Sequence, residues 1–289
     1  MKHTHIHGKA RLNRRAFLLL LIPFVLVSCR SYLIFDPADS IRGEVNAKGW
    51  RETFFASTAV GGLVGFYRPL ASPSPILHVY IEGDGFAWKN ISTPSKDPTP
   101  LNPVGLHLAF NDRQPTVLYL ARPCQYQRTP PWTGCQTRYW TSDRFAPEIV
   151  EAMTKAIDKY KFAIGANRIR LFGYSGGGSI AALVAARRQD VALLVTISSP
   201  LDHVAWTRHH EITPLSGSLN PKDVAARLHA LPQIHFIGED DSTVPSLVAE
   251  SFLRSFPKDA PAKINRVPDY GHKCCWARNW GRHLREIGL

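Results

Sequence analysis

The stretch Gly173-Tyr174-Ser175-Gly176-Gly177-Gly178 restricts this chain more than any other. The apolar run before it, Arg168–Tyr174, reads as a strand, and the alanine-rich run at 177–188 reads as a helix. A serine between them, with glycine at nearly every flanking position, implies a turn too sharp for side chains on either side. Such a turn belongs to a strand-to-helix unit, and strand-helix units build parallel sheets.

The rest of the chain repeats that rhythm. Apolar strand candidates lie at 76–81, 116–120, 191–197, 233–237 and 262–267. Helical candidates lie at 104–111, 145–160, 221–230, 246–255 and 275–286, and the apolar positions of 145–160 fit a period of 3.6. Near-continuous apolar strands predict a mostly parallel sheet covered by helices on both faces. Two shorter strand candidates at 53–56 and 63–67, separated by Gly61-Gly62, predict a hairpin at the sheet edge. No repeat or linker divides 76–289, so the expected organisation is one domain over 51–289.

The N-terminus reads as an address. Residues 1–28 hold five basic residues and no acid, and 16–28 is an apolar run of 13 residues. A membrane-spanning helix needs about 20, so 1–28 is expected to be a signal peptide. Removing it reduces the formal charge of +12 to +7, spread in short mixed runs with no basic stripe. A nucleic-acid partner is therefore not expected. Residues 29–50 are polar, contain Pro37 and Gly43, and read as a tether.

Apart from Cys29, the cysteines are Cys124, Cys135, Cys274 and Cys275, an even number that suits an exported protein. Three pairings are open. A Cys124–Cys135 bridge is the simplest; the adjacent Cys274 and Cys275 form a vicinal disulfide, or each clamps one end of the 124–135 loop. Their spacing is not that of a zinc site, and no metal is expected.

The strand, the Gly-x-Ser-x-Gly turn at 173–177 and the helix resemble the nucleophile turn of the α/β-hydrolase superfamily. The order nucleophile, acid, histidine in that family points to two later segments. Gly238-Glu239-Asp240-Asp241-Ser242-Thr243-Val244-Pro245 resembles its acid loop, and the aspartate three positions before Val-Pro is Asp241, with Glu239 and Asp240 as neighbours. Tyr270-Gly271-His272 follows one further strand and resembles its histidine loop. The resemblance thus implies Ser175 as nucleophile, His272 as base and Asp241 as the acid that orients it.

An oxyanion hole needs two backbone N–H groups. The resemblance assigns one to Gly176 and the other to the loop Glu82-Gly83-Asp84-Gly85, where Asp84 and Gly85 are both open as donors and Asp84 is expected to turn its carboxylate away. Residues 198–221 would form a short cap insertion. Phe86, Trp88, Trp132 and Trp206 are candidates to line the pocket, and the Arg208-His209-His210 cluster reads first as a solvated loop. The implied activity is ester hydrolysis through an acyl-enzyme without a cofactor. A peptidase of the same fold, or an inactive hydrolase fold serving as an envelope scaffold, are the other readings.

Two further resemblances concern export. Leu26-Val27-Ser28-Cys29 resembles a bacterial lipobox, which implies a lipid on Cys29, and Arg14-Arg15-Ala16-Phe17-Leu18 resembles a twin-arginine signal. Together with Arg30 after the lipid cysteine, they imply a lipoprotein of the outer membrane facing the periplasm.

Overall fold

The apolar runs come together as one sheet in the computed structural model of the protein, which describes residues 36–69, 74–128 and 134–289. Eight strands form it: β1 (Arg51–Phe55), β2 (Leu63–Tyr67), β3 (Ile76–Ile81), β4 (Val117–Leu120), β5 (Arg168–Tyr174), β6 (Val191–Ile197), β7 (Gln233–Gly238) and β8 (Ala262–Val267). Their order is β1-β2-β4-β3-β5-β6-β7-β8. β1 pairs antiparallel with β2, and β2 with β4, while every other pairing is parallel. The expected edge hairpin and mostly parallel sheet are both present.

Alternation along the strands sorts side chains into two cores. Leu77, Val79 and Ile81 face one core with α3 (Pro147–Ala163), α4 (Gly176–Ala185) and α6 (Ser246–Leu253). Tyr80, Phe172 and Phe236 face the other, against α1 (Pro37–Ala47), α2 (Val104–Phe110) and α7 (Trp276–Glu286). Both faces of the central strands are therefore covered, which is why their sequences are mostly apolar. His78, the one polar break in β3, is buried and bonds through Nδ1 to Asp112 at 2.6 Å, while Tyr80 donates to the same carboxylate oxygen at 2.7 Å.

Residues 37–47 correct the reading of a tether over 29–50. Asp36 accepts from the Ala38 N–H at 2.8 Å and Pro37 occupies the first turn, a start signal for a helix. The resulting α1 buries Ala38, Ile41 and Val45 on one side. Its Arg42 bonds Glu52 and the Tyr126 carbonyl, so α1 belongs to the folded unit Phe35–Leu289. The expected signal peptide and Cys29 lie outside the described residues. Among the described residues no helix is long and apolar enough to cross a membrane.

The cap stretch 198–221 contains a helix that its polar sequence concealed, α5 (His203–His209). Asp202 caps it, accepting from the Ala205 N–H at 3.2 Å, and also accepts from Ser251 at 2.6 Å, Lys222 at 3.0 Å and Asn220 at 3.3 Å. Burial by itself would raise this carboxyl, but the donors outweigh it and bring it from 3.8 to about 2. A depressed carboxyl stabilises the fold above its ordinary pKa, and that contribution is lost as pH falls through the folded value. Urea midpoints followed from about pH 5 down to about pH 2 should therefore fall more steeply for the parent than for Asp202→Asn.

The cysteines pair as Cys124–Cys135 and Cys274–Cys275. The first fastens the long loop after β4; the second lies between His272 and the start of α7.

Candidate active site

In the sheet order, β3 has β4 on one side and β5 on the other, so the chain reverses its direction of winding there. Loops leaving the carboxyl ends of strands at such a point diverge and open a crevice. The 82–85 loop and Ser175 are the segments that leave β3 and β5.

Ser175 has φ 50° and ψ −127°, a left-handed conformation that a side chain tolerates only under constraint. The constraint comes from both sides: Ser175 N–H donates to the Ile197 carbonyl at 2.8 Å, and Gly178 N–H donates to the Ser175 carbonyl at 2.9 Å. A Cβ on Gly177 would stand 2.2 Å from the Ile81 carbonyl oxygen, and one on Gly173 would stand 2.4 Å from the Gly177 oxygen. The glycines thus let α4 start directly against β3. Gly177→Ala should break this approach; the expected result is a protein that unfolds at lower temperature, read by a melting curve beside a serine-reactivity assay.

Of the three acids in the loop after β7, Glu239 and Asp240 are exposed and Asp241 is buried. Asp241 Oδ1 accepts from the Thr243 and Val244 N–H groups at 2.9 and 2.8 Å, and Oδ2 meets His272 Nδ1 at 2.9 Å. Burial pushes the Asp241 carboxyl up, but its hydrogen bonds to His272 and to the Val244 amide more than offset this, so its pKa lies below the ordinary value. A carboxylate at Nδ1 fixes the imidazole tautomer and leaves the Nε2 lone pair free. Nε2 lies 3.1 Å from Ser175 Oγ. The histidine loop is held in turn by Tyr174, whose hydroxyl donates to the His272 carbonyl at 3.1 Å, and by Trp276, which donates to the Gly271 carbonyl at 3.1 Å. The three residues expected from sequence are thus hydrogen-bonded in one line, a geometry in which an imidazole can draw a proton from a hydroxyl.

The 82–85 loop is built from buried charge. Glu82 accepts from the N–H groups of Gly83 (2.8 Å), Gly105 (3.1 Å) and Leu106 (3.2 Å) and from the Tyr119 hydroxyl (3.1 Å). It fastens the loop to the first turn of α2. Burial raises its pKa despite these donors. Asp84 turns its carboxylate to Arg122 at 3.0 Å and Arg144 at 2.6 Å. Burial again pushes this carboxyl up, but the two guanidinium groups overcome it and its pKa is lowered.

Gln125 completes the brace, donating to the Gly83 carbonyl at 3.1 Å and accepting from the Arg122 N–H at 2.9 Å. Gly85 has φ 68°, and a Cβ there would stand 2.1 Å from the Pro98 carbonyl oxygen. The loop lies against the nucleophile turn: a Cβ on Gly83 would be 3.2 Å from Ser175 Cβ, and one on Gly176 would be 2.1 Å from Asp84 Oδ1. Arg122, Gln125 and Arg144 were not legible as site residues. The only signal was two arginines at the ends of the 122–143 loop, and sequence gave them no partner.

A cleft of about 460 Å³ contains Ser175 and His272 and is lined by Phe86, Trp88 and Trp206 among others. Trp132, the fourth aromatic expected there, lies outside the described residues. Trp206 is fixed by an indole bond to the Thr243 carbonyl at 2.7 Å, and His210 reaches the same oxygen at 2.9 Å. Part of the Arg208-His209-His210 cluster is therefore built into the cap, and Arg208 faces a separate hollow of about 600 Å³ beyond α5. Among the described residues no group of three histidine, cysteine or acidic side chains is placed to hold a metal ion.

No family model and no curated protein matches the chain. Solved structures do. Est1E from Butyrivibrio proteoclasticus superposes with a TM-score of 0.55 at 13% identity, covering 82% of this chain and 96% of Est1E. The esterase domain of a Rhodothermus marinus protein gives 0.55 at 13% identity over 83% and 96% of the two chains. An alpha-beta serine hydrolase homologue from Coxiella burnetii gives 0.53 at 17% identity over 82% and 94%. At these identities the likeness is one of architecture, and together with the eight-stranded sheet it establishes that this chain has the α/β-hydrolase fold.

Proposed function

We propose that the protein is a serine hydrolase that cleaves carboxylic esters through an acyl-enzyme. The observation that carries this reading is the line Asp241–His272–Ser175, with Oγ on a left-handed turn at the floor of a cleft. One of the neighbouring structures is named as an esterase domain and another as a serine hydrolase homologue, which agrees with it.

In this mechanism Ser175 Oγ attacks the ester carbonyl carbon and its proton passes to His272 Nε2. The carbonyl oxygen takes up the negative charge and is met by the N–H of Gly176 and an N–H of Asp84 or Gly85. Asp241 holds the imidazolium in place. The C–O bond to the alcohol breaks as Nε2 returns the proton to the leaving oxygen. Water then enters, loses a proton to Nε2 and attacks the acyl carbon; the bond to Ser175 Oγ breaks as Nε2 returns that proton to Oγ, and the acid leaves. Asp84 is engaged by Arg122 and Arg144, which offsets its negative charge beside the developing oxyanion.

A rapid burst of p-nitrophenol followed by slower turnover of p-nitrophenyl acetate is the expected kinetic form. No release above the buffer rate, across esters of short and long acyl chains, contradicts the reading in favour of a scaffold. We further propose that Cys29 is lipidated after removal of 1–28 and that the protein faces the periplasm from the outer membrane. The mass of the N-terminal peptide from envelope material checks this: a diacylglyceryl-modified Cys29 is expected, and an unmodified one contradicts it.

A further inference from the structure

The wall of the cleft made by residues 86–102 carries apolar side chains outward into solvent. Seven large hydrophobic residues are exposed among the described residues, and three of them belong to this one segment: Trp88 (39%), Ile91 (98%) and Leu101 (62%). Trp88 and Leu101 line the mouth of the cleft. Ile91 stands at the tip of a turn closed by a bridge between Trp88 and Pro94 and by the Lys89 N–H donating to the Thr93 carbonyl at 2.9 Å. Asn90 Oδ1 accepts from the Ser92 and Thr93 N–H groups at 3.1 and 2.9 Å, so the tip is ordered by its own backbone while Ile91 packs on nothing.

The charge around these residues is positive. Lys89 beside Trp88 and Lys273 at the cleft mouth are exposed, and among the described residues neither is in an ion pair. The acids of the same wall are engaged inward: Glu82 with backbone amides, Asp84 with two arginines, and Asp97 with the Thr99 N–H at 2.8 Å. Apolar tips interleaved with free lysines suit a surface that is apolar within and anionic at its face, which describes a lipid bilayer with acidic headgroups.

The path of the chain agrees. Six residues separate Cys29 from Asp36, where the described fold begins, and seven residue steps reach at most about 25 Å. The helix that follows, α1, is bound by Arg42 to the Tyr126 carbonyl, and Tyr126 N–H donates to Thr99 Oγ1 at 2.7 Å, two residues from Leu101. A lipid on Cys29 would therefore hold the domain within that reach of a bilayer.

We propose that Trp88, Ile91 and Leu101 dock the mouth of the cleft onto an anionic lipid surface, so that the ester reaches Ser175 from the bilayer. The docking stands on the exposed wall; the ester as the docked substrate rests on the hydrolase reading above. The test uses the mature chain reconstituted in vesicles of phosphatidylcholine and phosphatidylglycerol carrying brominated acyl chains, which quench tryptophan on contact. Among the described tryptophans Trp88 alone is exposed, so it should supply the quenching.

Most of the quenching is expected to be lost in Trp88→Phe, and also in Ile91→Ser, which keeps Trp88 but removes the tip. Ile91→Ser should label with a fluorophosphonate like the parent, showing an intact fold. Quenching that Trp88→Phe leaves unchanged overturns the proposal. So does a dimer in sedimentation that Ile91→Ser dissolves, since the wall would then pair two copies. Quenching that behaves as expected in a protein that never labels sinks the hydrolase reading and leaves the docking standing.

Discussion

Ser175→Ala is expected to lower kcat for ester hydrolysis by about a million-fold, with the residual rate no more than transition-state binding alone supplies. The size follows from what the serine shares. His272 Nε2 at 3.1 Å has no other proton to take, and Asp241 at 2.9 Å orients an imidazole that then has no task. Removing Oγ therefore disables all three residues at once, and His272→Ala on top of it should cost little more. The fold should survive, because the turn is held by backbone bonds at Ser175 N–H and O and alanine meets no new contact. Steady-state rates on a p-nitrophenyl ester, beside melting curves for each variant, check both parts. A Ser175→Ala protein that keeps a tenth or more of its rate would place the chemistry elsewhere.

The second large effect is expected at a residue that touches no substrate through its side chain. Asp84→Ala leaves Arg122 and Arg144 without their shared carboxylate, and both guanidinium groups are largely buried, with side chains 4% and 10% exposed. Breaking one partner out of a buried ion network commonly costs about 3–5 kcal/mol, because the charges that remain are uncompensated. Arg122 is also committed to the Arg144 carbonyl and cannot turn to water without moving that segment. The same change loosens the loop that packs on Gly176, so an oxyanion donor shifts and kcat/KM should fall by about 100-fold or more.

Asp84→Asn separates the two consequences. It keeps the shape and one acceptor oxygen, so it should recover part of the stability, while the arginines carry one more net positive charge. Urea midpoints and kcat/KM measured on both variants test this. Full activity in Asp84→Ala would show that the loop amides are placed without the ion network.

The difference between these two predictions also marks what the sequence disclosed. Ser175 was legible from glycines where a helix must start against a strand, and Asp241 and His272 from the resemblance of their segments to the acid and histidine loops of one superfamily, in the order that family uses. The strands β5 and β6 were legible to the residue because burial of their carboxyl-terminal halves on both faces leaves a largely apolar run with sharp ends. The Asp84 network was not, since an arginine at 122 and another at 144 become partners of Asp84 only when β3 and β4 lie side by side.

The helices α1 and α5 were missed for a related reason. Each buries few residues, Ala38, Ile41, Arg42 and Val45 in one and His203 and Thr207 in the other, so the periodic apolar signal is thin. The better clue lay at their starts, where Asp36-Pro37 and Asp202 are capping residues. The disulfide pairing could not be chosen from spacing, because the choice depends on which loops the sheet brings together.

The most direct test of the central claim is covalent labelling of the protein by a fluorophosphonate, which reacts with a serine only when a neighbouring base activates it. The structure predicts stoichiometric labelling of the parent at Ser175, none in Ser175→Ala and very little in His272→Ala. A folded parent with both disulfides intact that takes up no label would contradict the account.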